Sequence, residues 1–173
     1  VCDRAVRAGG ALLLEKLGLV EVQVKGPADL VTEADFAAQE KIRRIVLDAF
    51  PDHDFLGEEC PAGAGKSVAR SSPYRWILDP LDGTTNFVHQ VPHFSVSLAL
   101  EQEGELLVGA VYNPVTEECF SAAAGQGARL NGRPIHTSRV SGLVDALCAV
   151  GLPPRTQRDC RDMRLFLETM DKC

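Results

Sequence analysis

Residues 76–87 read Trp-Ile-Leu-Asp-Pro-Leu-Asp-Gly-Thr-Thr-Asn-Phe, and the rest of the sequence is interpreted from this stretch. Its apolar start, residues 76–78, predicts a buried strand. Pro80 cannot donate a hydrogen bond to a sheet, so we expect regular strand pairing to stop near Asp79. Asp79 and Asp82 lie on either side of this break, and a chain that leaves a strand here can direct both carboxylates at one spot.

The residues after the acids suggest what that spot binds. A helix beginning near Thr84 would point its free backbone N–H groups at the same place. Carboxylates alone would repel an anion, so the combination suits divalent cations held between the acids and a phosphate group. Asp-Pro and Asp-Gly also mark ordinary polar turns, and this simpler interpretation explains either dipeptide by itself. It does not explain the whole run.

Composition limits the class of protein. The 173 residues fit one domain, which we predict over 1–173, and a content of 45% hydrophobic and 24% charged residues is typical of soluble globular proteins. The net charge of −6 argues against a nucleic-acid partner, because neutralising phosphates needs surplus Lys and Arg. No apolar run is long enough to span a bilayer and no secretory signal opens the chain, so we expect no membrane partner and a cytoplasmic location. The sequence lacks an initial Met and stops at Cys173 within a predicted helix, so we expect a fragment of a longer protein.

The cysteines and histidines give no separate metal motif. His89 and His93 are four residues apart, as in zinc-binding helices, but Pro92 lies between them, which favours a hydrogen-bonded or surface role. The six cysteines contain no Cys-x-x-Cys pair, so we interpret them as mostly buried or incidental thiols: Cys2, Cys60, Cys119, Cys148, Cys160 and Cys173.

The N-terminal half is predicted to be mainly helical. Apolar spacing indicates an amphipathic helix over residues 2–17, ended by Gly18, and the alternation over residues 20–24 predicts a short strand or an extended arm. A second helix begins after Thr32, a good N-cap with Asp35 three residues later, and ends before Pro51. Capping alone is a sufficient explanation for Thr32, Glu33 and Asp35, but Asp29 needs another one.

Two loops before the central stretch carry polar residues that chemistry could use. Residues 54–57 predict a strand, and Glu58-Glu59 after it are either a solvated loop edge or partners of Asp79 and Asp82 at a shared metal. Residues 61–67 end in Gly-Lys-Ser like a phosphate-binding P-loop. Cys60 stands where that motif needs Gly and no strand directly precedes it, so we interpret this segment as a flexible loop.

The C-terminal half is predicted to be rich in strands. Strands are expected over 94–100, 106–112, 119–122 and 146–150, with a turn at Glu103-Gly104, a hairpin at Asn131-Gly132 and a helix over 157–172. Helices in front of a strand meander indicate the α+β class.

Three segments in order resemble the inositol monophosphatase family of magnesium-dependent phosphatases: residues 29–35, 57–59 and 79–87. The third is highly specific to that family, and the similarity covers most of the chain, to about Arg155. It is closest to the bacterial inositol monophosphatase type, although histidinol-phosphate phosphatases share the motifs. The resemblance implies an α+β fold, the layered α/β sandwich of the inositol monophosphatase and sugar phosphatase type. It also implies a homodimer and inhibition by lithium.

The resemblance also implies roles for individual residues. Two or three Mg²⁺ ions per site would be bound by Glu58, Asp79, the Leu81 carbonyl and Asp82, with Asp79 bridging two of them. Thr84, hydrogen-bonded to Asp35, would help orient the attacking water beside Glu58. Asp82 and the backbone N–H groups of Gly83 and Thr84 would contact the phosphorylated substrate, and Lys25 resembles a lysine near the metal-binding loop.

One departure affects the expected function. The family carries a later Trp-Asp segment that supplies a metal ligand and substrate contacts, whereas this sequence contains only Trp76. We therefore expect the C-terminal part of the family fold to be missing, with surface exposed that it would cover. The expected activity is hydrolysis of inositol monophosphate or a similar small phosphorylated alcohol by metal-activated water. The alternatives are a histidinol-phosphate or sugar or nucleotide bisphosphate phosphatase, and a non-catalytic module that binds a metal or a partner.

Overall fold

The computed structural model describes residues 1–19, 22–26, 29–59, 71–151, 157 and 160–172, with side chains omitted for residues 22–26 and 29–31. They form two compact units, Val1–Ile135 and His136–Cys173, and each is described by itself. The single domain over 1–173 stays a prediction. None of the described helices is long and apolar enough to cross a membrane.

The described residues of the first unit include three helices: α1 (Cys2–Lys16), α2 (Glu33–Ala49) and the short α3 (Thr84–Val88). Between α1 and α2, strands β1 (Val22–Gly26) and β2 (Asp29–Thr32) pair in an antiparallel ribbon. Strand β1 confirms the extended segment predicted over residues 20–24 for residues 22–24, and Val20 and Glu21 lie outside the described residues. The predicted start of α2 is confirmed. Thr32 Oγ1 accepts a hydrogen bond from the Ala34 N–H, and the Asp35 carboxylate accepts one from the Thr32 N–H, which together form a capping box.

After α2, the part of the chain that the structure describes forms a sheet of seven strands in sequence order. β3 is parallel to β4 and all the later neighbours are antiparallel. Helices α1 and α2 cover one face of this sheet, where Val96, Leu98 and Ala110 are buried in the core with Ala5 and Ile42, so the predicted α+β layering is confirmed. The strands are β3 (Asp54–Gly57), β4 (Tyr74–Asp82), β5 (Ser95–Gln102), β6 (Glu105–Asn113), β7 (Glu118–Ala123), β8 (Gly127–Leu130) and β9 (Arg133–Ile135).

Strand β4 becomes irregular at Pro80. The prediction that regular pairing stops near Asp79 is confirmed, because the register with β5 shifts between Asp79 and Asp82, although β4 itself continues to Asp82. Asp79 faces Ser97 and Asp82 faces Ser95, so β4 advances by three residues where β5 advances by two. This irregularity accommodates the residue that cannot donate to the ladder, because bulges are where strands tolerate proline. It also turns the end of β4 out of the regular pleat.

Both predicted turns of the meander are confirmed. Glu103 and Gly104 connect β5 to β6 with φ angles of 51° and 96°, and Asn131 and Gly132 connect β8 to β9 with φ angles of 49° and 78°. Two successive positive φ angles match the right-handed twist of the flanking strands, which is why Asn-Gly is such a strong hairpin signal.

The second unit corrects one prediction and confirms another. Residues 146–150 form no strand and are exposed apart from half-buried Ala146, since an apolar run alone does not supply a neighbouring strand. A 3₁₀ turn, Leu143–Asp145, lies just before them. Helix α4 (Arg161–Met170) confirms the C-terminal helix over a shorter range than 157–172, although residues 158, 159 and 173 lie outside the description. Of the cysteines, Cys2 and Cys119 are buried, Cys160 is half-buried and Cys148 is exposed, whereas Cys60 and Cys173 are not described.

The paired glycines of α1 have a packing role that their low helix propensity does not reveal. A Cβ on Gly9 would meet the Ile42 side chain of α2 at 2.5 Å, and a Cβ on Gly10 would meet the Tyr112 ring of β6 at 2.7 Å. Both glycines are buried within the helix. They therefore let α1 approach α2 on one side and the sheet on the other.

We expect Gly10→Ala to lower the free energy of unfolding by about 1–2 kcal/mol, because overpacking against the Tyr112 ring exceeds the roughly 1 kcal/mol gained in helix propensity. Urea denaturation would measure it. Ala11→Gly, at the exposed neighbouring position, would measure the propensity term alone. A Gly10→Ala protein more stable than the unsubstituted one would contradict this packing account.

Candidate functional site

The parallel pairing of β3 and β4 brings the first two predicted site residues together. Gly57 lies opposite Leu78, and the Glu58 N–H donates to the Leu78 carbonyl at 3.0 Å, which extends the ladder by one residue. Glu58 and Asp79 therefore lie side by side where the pairing of β3 with β4 ends. Their carboxyl groups share a hydrogen bond, with Asp79 half-buried and Glu58 exposed.

This proximity changes the acidity of Asp79. Burial is the largest cause that raises its pKa, to about 7, followed by the charge of Glu58, the hydrogen bond with Glu58 and the charge of Asp82. The Leu81 N–H, which donates to Asp79 Oδ1 at 3.1 Å, opposes this increase in pKa. A proton shared by two carboxylates at neutral pH is what a bound cation would replace.

The turn after β4 packs against the His93 carbonyl. Gly83 has a φ of 93°, and a Cβ there would lie 3.1 Å from the His93 carbonyl oxygen, so both the conformation and the close approach favour glycine. Asn86 Nδ2 donates to that same carbonyl at 2.7 Å. Asp82 is exposed at the start of this turn and Gly83 is the N-cap of α3.

Thr84 lies where three elements meet. Its hydroxyl is 3.0 Å from the Leu81 carbonyl and 3.5 Å from Asp35 Oδ1, so the contact with Leu81 is the better hydrogen bond. The other oxygen of Asp35 accepts from the Thr32 N–H at 2.8 Å and from its hydroxyl at 2.6 Å. Asp35 is only 2% exposed. One carboxylate thus caps α2 and faces Thr84, so the two interpretations weighed for Asp35 are compatible.

The structure shows two of the four predicted metal ligands in contact. Glu58 and Asp79 share a hydrogen bond, the Leu81 carbonyl accepts from the Thr84 hydroxyl, and Asp82 acts on Asp79 through its charge. Over the described part of the chain, no three His, Cys, Asp or Glu side chains form a group that could hold a metal ion. The donors are nonetheless all oxygens, and Mg²⁺ commonly uses one or two carboxylates with waters and substrate phosphate. The donor set fits magnesium.

One residue at this site, Gln39, belongs to none of the motifs found in the sequence. Gln39 on α2 exchanges two hydrogen bonds with the backbone of Glu59, next to the predicted ligand Glu58. It lies four residues after Asp35, and residues with that spacing share a helix face, which is the signal that could have identified it. The side chains of Lys25 and Asp29 and the loop over residues 61–67 lie outside the described residues.

We expect Asp79→Asn to flatten the pH dependence of stability in the metal-free protein. Because the pKa of Asp79 is about 7 when folded and close to 3.8 when unfolded, the folded state binds more protons between those values, and stability falls as pH rises through that window. Asn removes this loss, so the variant should be more stable at about pH 8 by about 1–2 kcal/mol, a value discounted for partial solvation.

Denaturant titrations in chelator at about pH 4.5 and about pH 8 would measure this effect. Asp52→Asn in the exposed turn after α2 serves as the matched control, with no expected change in the pH dependence. Equal pH dependence in the Asp79→Asn and unsubstituted proteins would show that the carboxyl pair is not coupled as described.

Comparisons with known proteins identify the family of the chain. The chain matches the Inositol monophosphatase family over residues 3–172. An inositol-1-monophosphatase of Rhizobium meliloti (strain 1021) is 43% identical over 156 residues, which cover 88% of this chain and 57% of the relative. A fructose-1,6-bisphosphatase/inositol-1-monophosphatase of Aquifex aeolicus (strain VF5) is 40% identical over 163 residues, covering 92% of the chain and 60% of the relative.

Solved structures give the same result. The crystal structure of the extragenic suppressor protein suhB from Bartonella henselae superposes with a TM-score of 0.74 at 39% identity, over 81% of this chain and 54% of that one. The chain therefore spans just over half the length of these relatives. The layered α+β fold implied by the sequence resemblance is confirmed, and the chain belongs to the inositol monophosphatase family.

Proposed function

We propose that the protein containing this chain is a magnesium-dependent phosphomonoesterase that acts on a small phosphorylated alcohol, with inositol monophosphate as the leading candidate. The observation that supports the proposal is the Glu58–Asp79 carboxyl pair, which lies where the parallel pairing of β3 and β4 ends. Burial and the charge of Glu58 raise the pKa of Asp79 to about 7, and like charges brought together in this way are common at functional sites.

The residues proposed to hold Mg²⁺ are Glu58, Asp79, Asp82 and the Leu81 carbonyl. When bound, the metal would lower the pKa of a coordinated water and offset the charge of the phosphoryl group. Asp79 must give up the proton it shares with Glu58 before it can act as a ligand. Magnesium affinity should therefore increase as pH rises toward the pKa of Asp79.

The remaining residues would orient the reactants. The Thr84 hydroxyl lies near the Leu81 carbonyl and Asp35, and it would accept a hydrogen bond from the attacking water while it donates its own proton to one of them. The first N–H groups of a helix have no partner within it, so those of Gly83 and Thr84 at the start of α3 are available for phosphate oxygens. Thr84 need not be a nucleophile, and no covalent phosphoenzyme is required.

A second candidate is a phosphatase for sugar bisphosphates. It is favoured by one observation, the relative from Aquifex aeolicus whose name combines fructose-1,6-bisphosphatase with inositol-1-monophosphatase. A substrate panel with inositol monophosphate, fructose 1,6-bisphosphate and histidinol phosphate on the natural protein separates these activities. Binding of magnesium without release of phosphate from any of them would favour the non-catalytic module. A cytoplasmic homodimer is the expected setting for the enzyme.

We expect Asp82→Asn in the natural protein to lower kcat for its best substrate at least about a hundredfold, because a charge that stabilises the transition state is lost. Inorganic phosphate released with and without magnesium would measure this effect. Asp52→Asn, an exposed acid away from the site, is the matched control and should keep full activity. Near-normal turnover by the Asp82→Asn protein would remove Asp82 from the proposed machinery.

A further inference from the structure

The side-chain amide of Gln39 pairs with the backbone N–H and C=O of Glu59, as a residue of a neighbouring strand would. Its Nε2 donates to the Glu59 carbonyl at 2.6 Å, and its Oε1 accepts from the Glu59 N–H at 3.0 Å. Both groups are partly buried. A side-chain amide that satisfies both polar groups of one residue's backbone fixes the position and direction of that backbone.

Gly57, the residue before Glu58, leaves room for the Gln39 side chain. A Cβ at Gly57 would overlap the Gln39 amide, with its Oε1 as the nearest atom. Gly57 is not among the described glycines with a positive φ, so its backbone conformation does not require glycine. The missing Cβ leaves room for the Gln39 amide instead. Gln39 therefore contacts the residues on both sides of Glu58: it packs against Gly57 and hydrogen-bonds to the backbone of Glu59.

Glu58 lies where the backbone hydrogen bonds between β3 and β4 end. Among the described strands, β3 lies at one edge of the sheet, and the hydrogen bond from the Glu58 N–H to the Leu78 carbonyl continues its ladder with β4. One residue further on, Gln39 supplies a donor and an acceptor to Glu59. The backbone partner therefore changes from β4 to helix α2 at Glu58, whose carboxyl group contacts Asp79.

We propose that Gln39 is a positioning residue that holds the backbone at Glu58 so that its carboxylate stays against Asp79 for magnesium. The proposal rests on the proposed function in taking Glu58 and Asp79 as metal ligands. Asp35 and Gln39 lie one helical turn apart on α2, so a single capped helix places both Thr84, through Asp35, and Glu58, through Gln39.

Gln39→Ala in the natural protein tests the proposal. Magnesium affinity, measured by calorimetric titration, should fall about 10- to 100-fold, as when other residues that orient ligands are removed. Hydrogen exchange at the Glu59 amide, measured in the absence of magnesium, should be faster in Gln39→Ala than in the unsubstituted protein. Gln39→Glu keeps an acceptor for the Glu59 N–H and loses the donor to its carbonyl, so it should recover part of the affinity. Glu40→Ala, at the next and exposed position of α2, is the matched control and should bind magnesium normally.

Gly57→Ala tests the same arrangement from the opposite side. It should displace the Gln39 amide and weaken magnesium binding by a similar factor. The double variant Gln39→Ala with Gly57→Ala should bind no more weakly than the single variants, because the added methyl group then fills vacated space. Additive losses, or unchanged affinity and exchange in Gln39→Ala, would overturn the proposal.

The two proposals fail in different measurements. Absence of phosphate release by the unsubstituted protein would count against the phosphatase function, whatever its variants do. Unchanged magnesium affinity in a folded Gln39→Ala protein would count against the positioning role while leaving the phosphatase function intact. A loss of affinity that Gln39→Glu does not recover in part would also overturn the pairing described here.

Discussion

Two carboxyl groups held in contact at the end of parallel strands are the constraint on which this structure depends. Glu58 and Asp79 are adjacent because β3 and β4 run in parallel and in register, and burial with mutual repulsion raises the pKa of Asp79 to about 7. Such a pair opposes folding at neutral pH unless a proton or a cation lies between the acids. The surrounding fold therefore has to supply stability that the site itself does not.

That stability comes from the layer of helices. Helix α2 begins with a capping box, and α1 approaches it closely because Gly9 leaves room for Ile42. The same helix carries Asp35 and Gln39 toward the strand ends, where one contacts Thr84 and the other contacts Glu59. The scaffold and the site are thus joined through α2, and a shift of this helix would move both halves of the site.

The irregular end of β4 is the second structural device. Pro80 is placed at a register shift, so the strand reaches Asp82 without a missing ladder bond being left in the middle of the sheet. Gly83 then turns with a φ of 93° against the carbonyl that Asn86 binds. At this irregular end of β4, Asp82 acts on Asp79 through its charge, and no three-residue metal-binding cluster forms among the described side chains.

The sequence by itself determined the features that depend on neighbours along the chain. These are the capping of α2 by Thr32 and Asp35, the hairpins at residues 103–104 and 131–132, and the motif over residues 79–87 that indicated the family. Only the tertiary structure decided that Glu58 contacts Asp79, that Gln39 holds Glu59, that β4 passes Pro80, and that residues 146–150 form no strand. Local patterns are set by backbone dihedrals and by hydrogen bonds between close neighbours, whereas these outcomes depend on which distant strand or helix lies alongside.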